Sequence, residues 1–138
     1  YRLDGLQAAI LDVKLKHLEQ WNEERRRAAR LYDERLKGVA GVTIPKAASY
    51  AEPVYHLYVV RVAERDRVLS ALREQGIDAG VHYPVPLHLQ PAYRYLEIPE
   101  GSLPHTEKAG REVLSLPLYP EITEAQIDRV VVALKAAL

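Results

Sequence analysis

The sequence contains no cysteine, methionine or phenylalanine. The first absence removes disulfides, thiolate nucleophiles and cysteine-ligated zinc together, and it suits a reducing compartment, so a cytoplasmic protein is expected. An excess of charge of either sign is missing too, with Lys plus Arg and Asp plus Glu at 19 each. Nothing in that balance draws nucleic acid or an anionic membrane, and neither is expected as a partner. No apolar run approaches the roughly 18 residues that a membrane-spanning helix needs, and Tyr1-Arg2-Leu3-Asp4 does not open a signal peptide. What is present is 138 residues, 48% of them hydrophobic, enough for one real core and too few for two. A single domain over 1–138 is expected. The chain starts at Tyr1 without Met and runs directly into a helical pattern, as expected of part of a longer sequence.

From Leu6 to Leu36 there is neither Pro nor Gly, and Asp4-Gly5-Leu6-Gln7 has the spacing of a helix capping box, so one long helix ending at Gly38 is expected. Its first half is apolar on two faces, with Leu6, Ala9, Ile10 and Val13 on one and Leu11, Leu15 and Leu18 on the other, more than one core side requires. The run Glu23-Glu24-Arg25-Arg26-Arg27 reads as a solvated helix face. Val42 to Pro45 reads as a short edge strand, and Pro53 to Val62, rich in β-branched and aromatic residues, as a central one. A helix over about Asp66–Gln75 closed by Gly76, and a further strand over Ile77–Tyr83, follow. Pro84, Pro86, Pro91, Pro99 and Pro104 then impose a loop with one short helix near Pro91–Leu96, and loops of this size are often functional. A helix from Pro104 to about Val113, a strand at Leu114–Leu116 and a last helix opened by the capping box Thr123-Glu124-Ala125-Gln126 complete the order. The fold class is α+β: a long first helix followed by a small, mostly antiparallel sheet covered on one face by helices.

Few residues offer chemistry. His82 and His88 flank Tyr83-Pro84-Val85-Pro86-Leu87, but no third metal ligand stands at suitable spacing, so no metal site is expected. His56 reads as a packed residue of the central strand. Ser115 has no nucleophile elbow around it, and no Gly-rich phosphate loop occurs. The residues by themselves show no complete active site.

Several segments, in order, do carry a resemblance. Tyr1-Arg2-Leu3-Asp4-Gly5-Leu6-Gln7-Ala8-Ala9-Ile10-Leu11 is similar to the N-Y-R-L-D-E-L-Q-A-A-I-L segment of the DegT/DnrJ/EryC1/StrS aminotransferases, without the Asn before Tyr1. Trp21-Asn22 with Arg25 and Arg26, Tyr55-His56-Leu57-Tyr58-Val59, Gly76-Ile77, Val81-His82-Tyr83-Pro84, Pro86-Leu87-His88-Leu89-Gln90 and Leu114-Ser115-Leu116-Pro117-Leu118-Tyr119-Pro120 resemble the C-terminal pattern of the same family. The resemblance spans essentially the whole chain.

It implies the small C-terminal domain of a fold-type I pyridoxal 5'-phosphate enzyme, usually a homodimer, that moves an amino group from glutamate or glutamine to a keto-sugar, commonly nucleotide-linked. In that family a lysine of the large domain holds the cofactor as a Schiff base, and the conjugated ring takes up the electrons left by proton loss. None of Lys14, Lys16, Lys37, Lys46, Lys108 or Lys135 matches that lysine's motif, so this chain alone is expected to be inactive, with no catalytic residue of its own. By resemblance, Tyr1 and Arg2 belong to the segment that reaches the cofactor phosphate across the dimer, and the guanidinium of Arg2 suits an anion. His82, Tyr83 and His88 match the loop bordering the sugar site, with Gln90 and Tyr119 as further candidates. The wide apolar band of the first helix would pack on the large domain and a partner subunit. A reading of another class also stands, a free-standing α+β regulatory module acting by binding, and a small hydrolase using His82 and His88 with a metal is a third.

Overall fold

The computed structural model describes residues 2–138, so the expectation for Tyr1 lies outside the described residues. The order is α1 (Gly5–Leu15), α2 (Leu18–Leu36), β1 (Val42–Thr43), β2 (Tyr58–Val62), α3 (Arg65–Glu74), 3-10 turns at Leu87–Leu89 and Pro91–Leu96, α4 (Pro104–Glu112), β3 (Val113–Leu116) and α5 (Glu124–Ala137). The strands form an antiparallel sheet in the order β1-β2-β3, with Val42 opposite Val62 and Tyr58 opposite Leu116. This is the expected α+β class. Among the described residues no helix is long and apolar enough to cross a membrane.

Strand alternation decides which face is core. Tyr58, Val60 and Val62 of β2 and Leu114 and Leu116 of β3 are buried together with Tyr32 and Leu36 of α2, Val68 and Leu72 of α3, and Ile127, Val131 and Leu134 of α5. The opposite face carries Val59 paired with Ser115 and Arg61 paired with Val113. The core contains two polar tips. The Tyr32 and Tyr58 rings stack with centroids 4.8 Å apart, while the Tyr32 hydroxyl donates to the Pro117 carbonyl at 2.8 Å and the Tyr58 hydroxyl to Asp33 Oδ1 at 2.6 Å. Burial, helped by that bond to Asp33, pushes the Tyr58 phenol well above its ordinary value, so it remains a donor.

The helix caps sit where the sequence places them, although the first expected capping box is made only by its Asp4 half. Asp4 accepts from the backbone N–H groups of Leu6 and Gln7, and the Thr123 and Gln126 side chains form both halves of a capping box. Gly38 and Gly76 take positive φ just past their helices, at 75° and 71°.

Four expectations need correction. The first helix is two: at His17 the hydrogen-bond ladder tightens, its N–H bonding the Lys14 carbonyl at 3.0 Å, and α2 restarts one residue later. The Arg run is not simply a solvated face. Arg25 Nη1 donates to the carbonyls of Tyr55 and Leu118 at 3.5 and 3.3 Å, Arg26 Nε to that of Pro53 at 3.3 Å, and Arg27 Nη2 to that of Ile122 at 3.0 Å. Those contacts explain the third difference, since carbonyls of Pro53 and Tyr55 turned to arginines are lost to a ladder, and Tyr55 has φ of 50°. The central strand therefore begins only at Tyr58, and His56 is an exposed residue ahead of it. Finally, the strand expected over Ile77–Tyr83 contracts to one bridge between Gly80 and Ser115. A tight turn from the Ala79 N–H to the Ile77 carbonyl precedes it, and Pro84 and Pro86 after it have no N–H to donate.

Candidate functional site

The proline-rich segment after the Gly80 bridge is fastened to β3 and α4 at successive points. His82 Nδ1 and Ser115 Oγ lie 2.9 Å apart in a hydrogen bond, and Ser115 is buried. The bridge residue must be small here, because a Cβ on Gly80 would stand 3.1 Å from His82 Cε1. Next, the backbone at Pro84 and the Pro86 ring press on α4 where Gly110 leaves room. A Cβ there would lie 3.2 Å from the Pro84 oxygen and 3.2 Å from Pro86 Cδ. The third fastening is His88, which is buried and meets the buried carboxylate of Glu107, with Nε2 and Oε1 3.1 Å apart. Glu107 also accepts from the backbone N–H of Gly101 at 2.9 and 3.0 Å and from that of Leu103 at 3.2 Å.

Between these points Tyr83 stands free. It is 73% exposed, its ring meets that of His82 edge-on at 5.5 Å, and both line a groove of about 250 Å³ together with Val85, Pro86, Gln90 and Thr106. His82 also borders a second groove of about 350 Å³ that includes His56, Arg73, Asp78 and Ser115. An exposed aromatic ring beside an imidazole, on a segment fixed at three places, is suited to stacking on and hydrogen-bonding a flat or ring-shaped ligand.

Of the residues singled out in the sequence, His82 and Tyr83 come together, while His88 is turned into the protein toward Glu107. Gln90 lines the His82–Tyr83 groove, and its side chain donates to the Val85 carbonyl at 3.4 Å. Tyr119 and Arg2 are exposed, and neither lines that groove. Gly110 and Glu107 carry no signal in the sequence, and Ser115, considered there only as a nucleophile, gives none for this contact, because their partners lie 19 to 33 residues away. Lys14, Lys16, Lys37, Lys46, Lys108 and Lys135 are all exposed, and none lines the His82–Tyr83 groove, so that groove offers no lysine to anchor a cofactor. Among the described residues no group of three or more His, Cys, Asp or Glu side chains is arranged to hold a metal.

A family model, that of the DegT/DnrJ/EryC1/StrS aminotransferases, matches residues 1–135. The chain belongs to the DegT/DnrJ/EryC1/StrS aminotransferase family. It is 44% identical to the erythromycin biosynthesis sensory transduction protein EryC1 of Saccharopolyspora erythraea, over 98% of this chain and 37% of that protein. It is 46% identical to the dTDP-3-amino-3,4,6-trideoxy-alpha-D-glucose transaminase of Streptomyces venezuelae, over 97% of this chain and 35% of that enzyme. The crystal structure of S. venezuelae DesV in complex with a ketimine intermediate superimposes with a TM-score of 0.94 at 45% identity, covering 98% of this chain and 36% of that one. This family member thus spans little more than a third of the length of such relatives.

The electrostatics of its third fastening predict a pH dependence. Burial works to raise the Glu107 carboxyl, but the bonds from His88, Leu103 and Gly101 outweigh it and hold the group below its ordinary value of 4.5. A carboxyl depressed in the folded state stabilises the fold above its unfolded value and loses that contribution as pH falls through the folded one. Thermal denaturation of Glu107→Gln against the unsubstituted protein should show a stability gap at pH 7 that closes as pH falls below 4.5. A gap of constant size across that window would contradict the assignment.

Proposed function

We propose that this chain is the small C-terminal domain of a pyridoxal 5'-phosphate-dependent aminotransferase that transfers an amino group from glutamate or glutamine to a nucleotide-linked keto-sugar. On this reading a large domain outside residues 1–138 holds the cofactor and its lysine, Tyr1 and Arg2 approach the cofactor phosphate across a homodimer interface, and the His82–Tyr83 groove borders the sugar. The observation that carries it is the match over residues 1–135 to an aminotransferase family, joined to coverage of 35% of a nucleotide-sugar transaminase.

The exposed face of α1 supports the same reading. None of its residues is buried, and Leu6, Ile10, Leu11, Val13 and Leu15 are all exposed. A helix of 11 residues none of which is buried is marginal in water on its own, and a contiguous apolar surface of this kind marks an interface. Large domain and partner subunit are the surfaces that would cover it.

The chemistry assigned to this chain's own residues is modest. Tyr83 offers a ring face to the substrate, and His82, its orientation set by Ser115, offers the other imidazole nitrogen as a hydrogen-bond partner. Lysines at exposed positions support the reading that the chain does not transaminate alone. In the full-length protein, Tyr83→Ala should raise KM for the keto-sugar nucleotide about tenfold, a loss of roughly 1.4 kcal/mol of binding, with kcat changed less. Steady-state kinetics that followed the amino-sugar by mass and found KM unaltered would remove Tyr83 from the site.

One relative's printed name, a sensory transduction protein, favours a second reading, a binding module without transferase activity. The two part on the full-length sequence: the enzyme requires a Schiff-base lysine ahead of Tyr1, and the module does not.

A further inference from the structure

We propose that Glu107 is the positioning residue of the sugar-binding segment, joining two stretches of loop so that Tyr83 is presented in one place; this rests on the aminotransferase reading of the groove. Buried carboxylates are rare and are kept charged only by partners that replace water. Among the described residues no Lys or Arg side chain pairs with Glu107, and the neighbouring Lys108 faces Glu112 instead. Its oxygens take the His88 imidazole and the N–H groups of Gly101 and Leu103.

Helix capping alone does not account for this set. Leu103, at the N-cap of α4, has no side-chain capping bond to the first turn, and Glu107 makes only the reciprocal contact, accepting the N–H of Leu103 itself. The bonds to Gly101 and His88 go beyond it. Gly101 closes the far end of the loop and His88 the near end, five residues after Tyr83, so one carboxylate clasps the segment that holds the groove wall. The helix supplying that carboxylate is itself fixed at its other end, where buried Arg65 Nη1 donates to the carbonyls of Gly110 and Val113 at 3.3 and 3.1 Å. The clasp is thus anchored through Arg65 to α3 and to the start of β3, and its loss frees the loop without opening the core.

The test uses the full-length protein with Glu107→Ala, Glu107→Gln and, as a neighbour on the exposed side of α4, Lys108→Ala. Amide hydrogen exchange at residues 85–90, Gly101 and Leu103 is read together with KM and kcat for the keto-sugar nucleotide. Loss of the clasp should speed exchange at those amides about tenfold or more, leave the α5 amides unchanged, and raise KM about tenfold with kcat within about threefold. Glu107→Gln, which keeps one acceptor oxygen, should fall between, and Lys108→Ala should match the parent. Faster exchange with KM unchanged would overturn the positioning role, and equal loss of protection in α5 would make Glu107 a residue of the global fold. Should the unsubstituted protein form no amino-sugar, the aminotransferase reading fails, and exchange confined to 85–103 still decides whether Glu107 clasps the loop.

Discussion

Gly110→Val should displace the proline segment from α4 and cost the full-length protein most of its substrate binding. Gly110 is buried, and even a methyl group there meets the Pro84 carbonyl and the Pro86 ring at 3.2 Å. One of these neighbours is backbone, which cannot turn aside as a flexible side chain does. The two γ-methyls of valine enlarge the conflict, and overpacking of this kind costs about 1–3 kcal/mol. The cheaper relief is for the loop to lift, since α4 is held by Arg65 and by the Arg61–Glu112 pair at 2.5 Å. Lifting by about 1 Å carries Tyr83 and His82 with it, and misplacement on that scale can lower kcat/KM about a hundredfold. Gly110→Ala should give the same pattern more weakly. A Gly110→Val protein with unaltered kcat/KM and unaltered exchange at residues 82–90 would show that the groove wall is not set by this contact.

The second large effect is on the core. Leu134 is fully buried on α5, in the cluster that joins the helices to the sheet. Leu134→Ala removes apolar area and leaves a cavity that surrounding helices refill only in part, a loss of about 2–5 kcal/mol. Against the roughly 5–15 kcal/mol of a whole domain that is a large share. Chemical denaturation should show the midpoint falling with little change of slope, whereas Val132→Ala, on the exposed side of the same helix, should stay within about 0.5 kcal/mol of the parent. Equal effects at both positions would contradict the assignment of α5's inner face.

Helix positions were legible wherever a local rule governs them. The Thr123–Gln126 box, Pro104 at the start of α4, and Gly38 and Gly76 just beyond α2 and α3 are all set by residues within one turn. The strands were less legible, because their limits depend on who takes the backbone carbonyls. Pro53 to Tyr55 has strand-like residues, yet Arg25 and Arg26 on α2 claim its oxygens. The break between α1 and α2 at His17 has no Pro or Gly to announce it. In the groove, the closeness of His82 and Tyr83 is legible because they are adjacent in sequence. The contacts of Ser115, Gly110 and Glu107 with that segment are not legible, since the fold alone brings them together, and neither is the turn of the His88 ring toward a buried carboxylate.

Residues 1–138 are proposed as one domain of a pyridoxal phosphate-dependent transaminase whose cofactor is held elsewhere. The most direct test of that assignment supplies pyridoxal 5'-phosphate, glutamate and a keto-sugar nucleotide to the purified full-length protein and, separately, to residues 1–138, and measures bound-cofactor absorbance and amino-sugar formed. Both signals are expected from the full-length protein and neither from residues 1–138. Turnover by residues 1–138 alone, or a full-length protein that neither binds the cofactor nor forms the amino-sugar, would contradict that assignment.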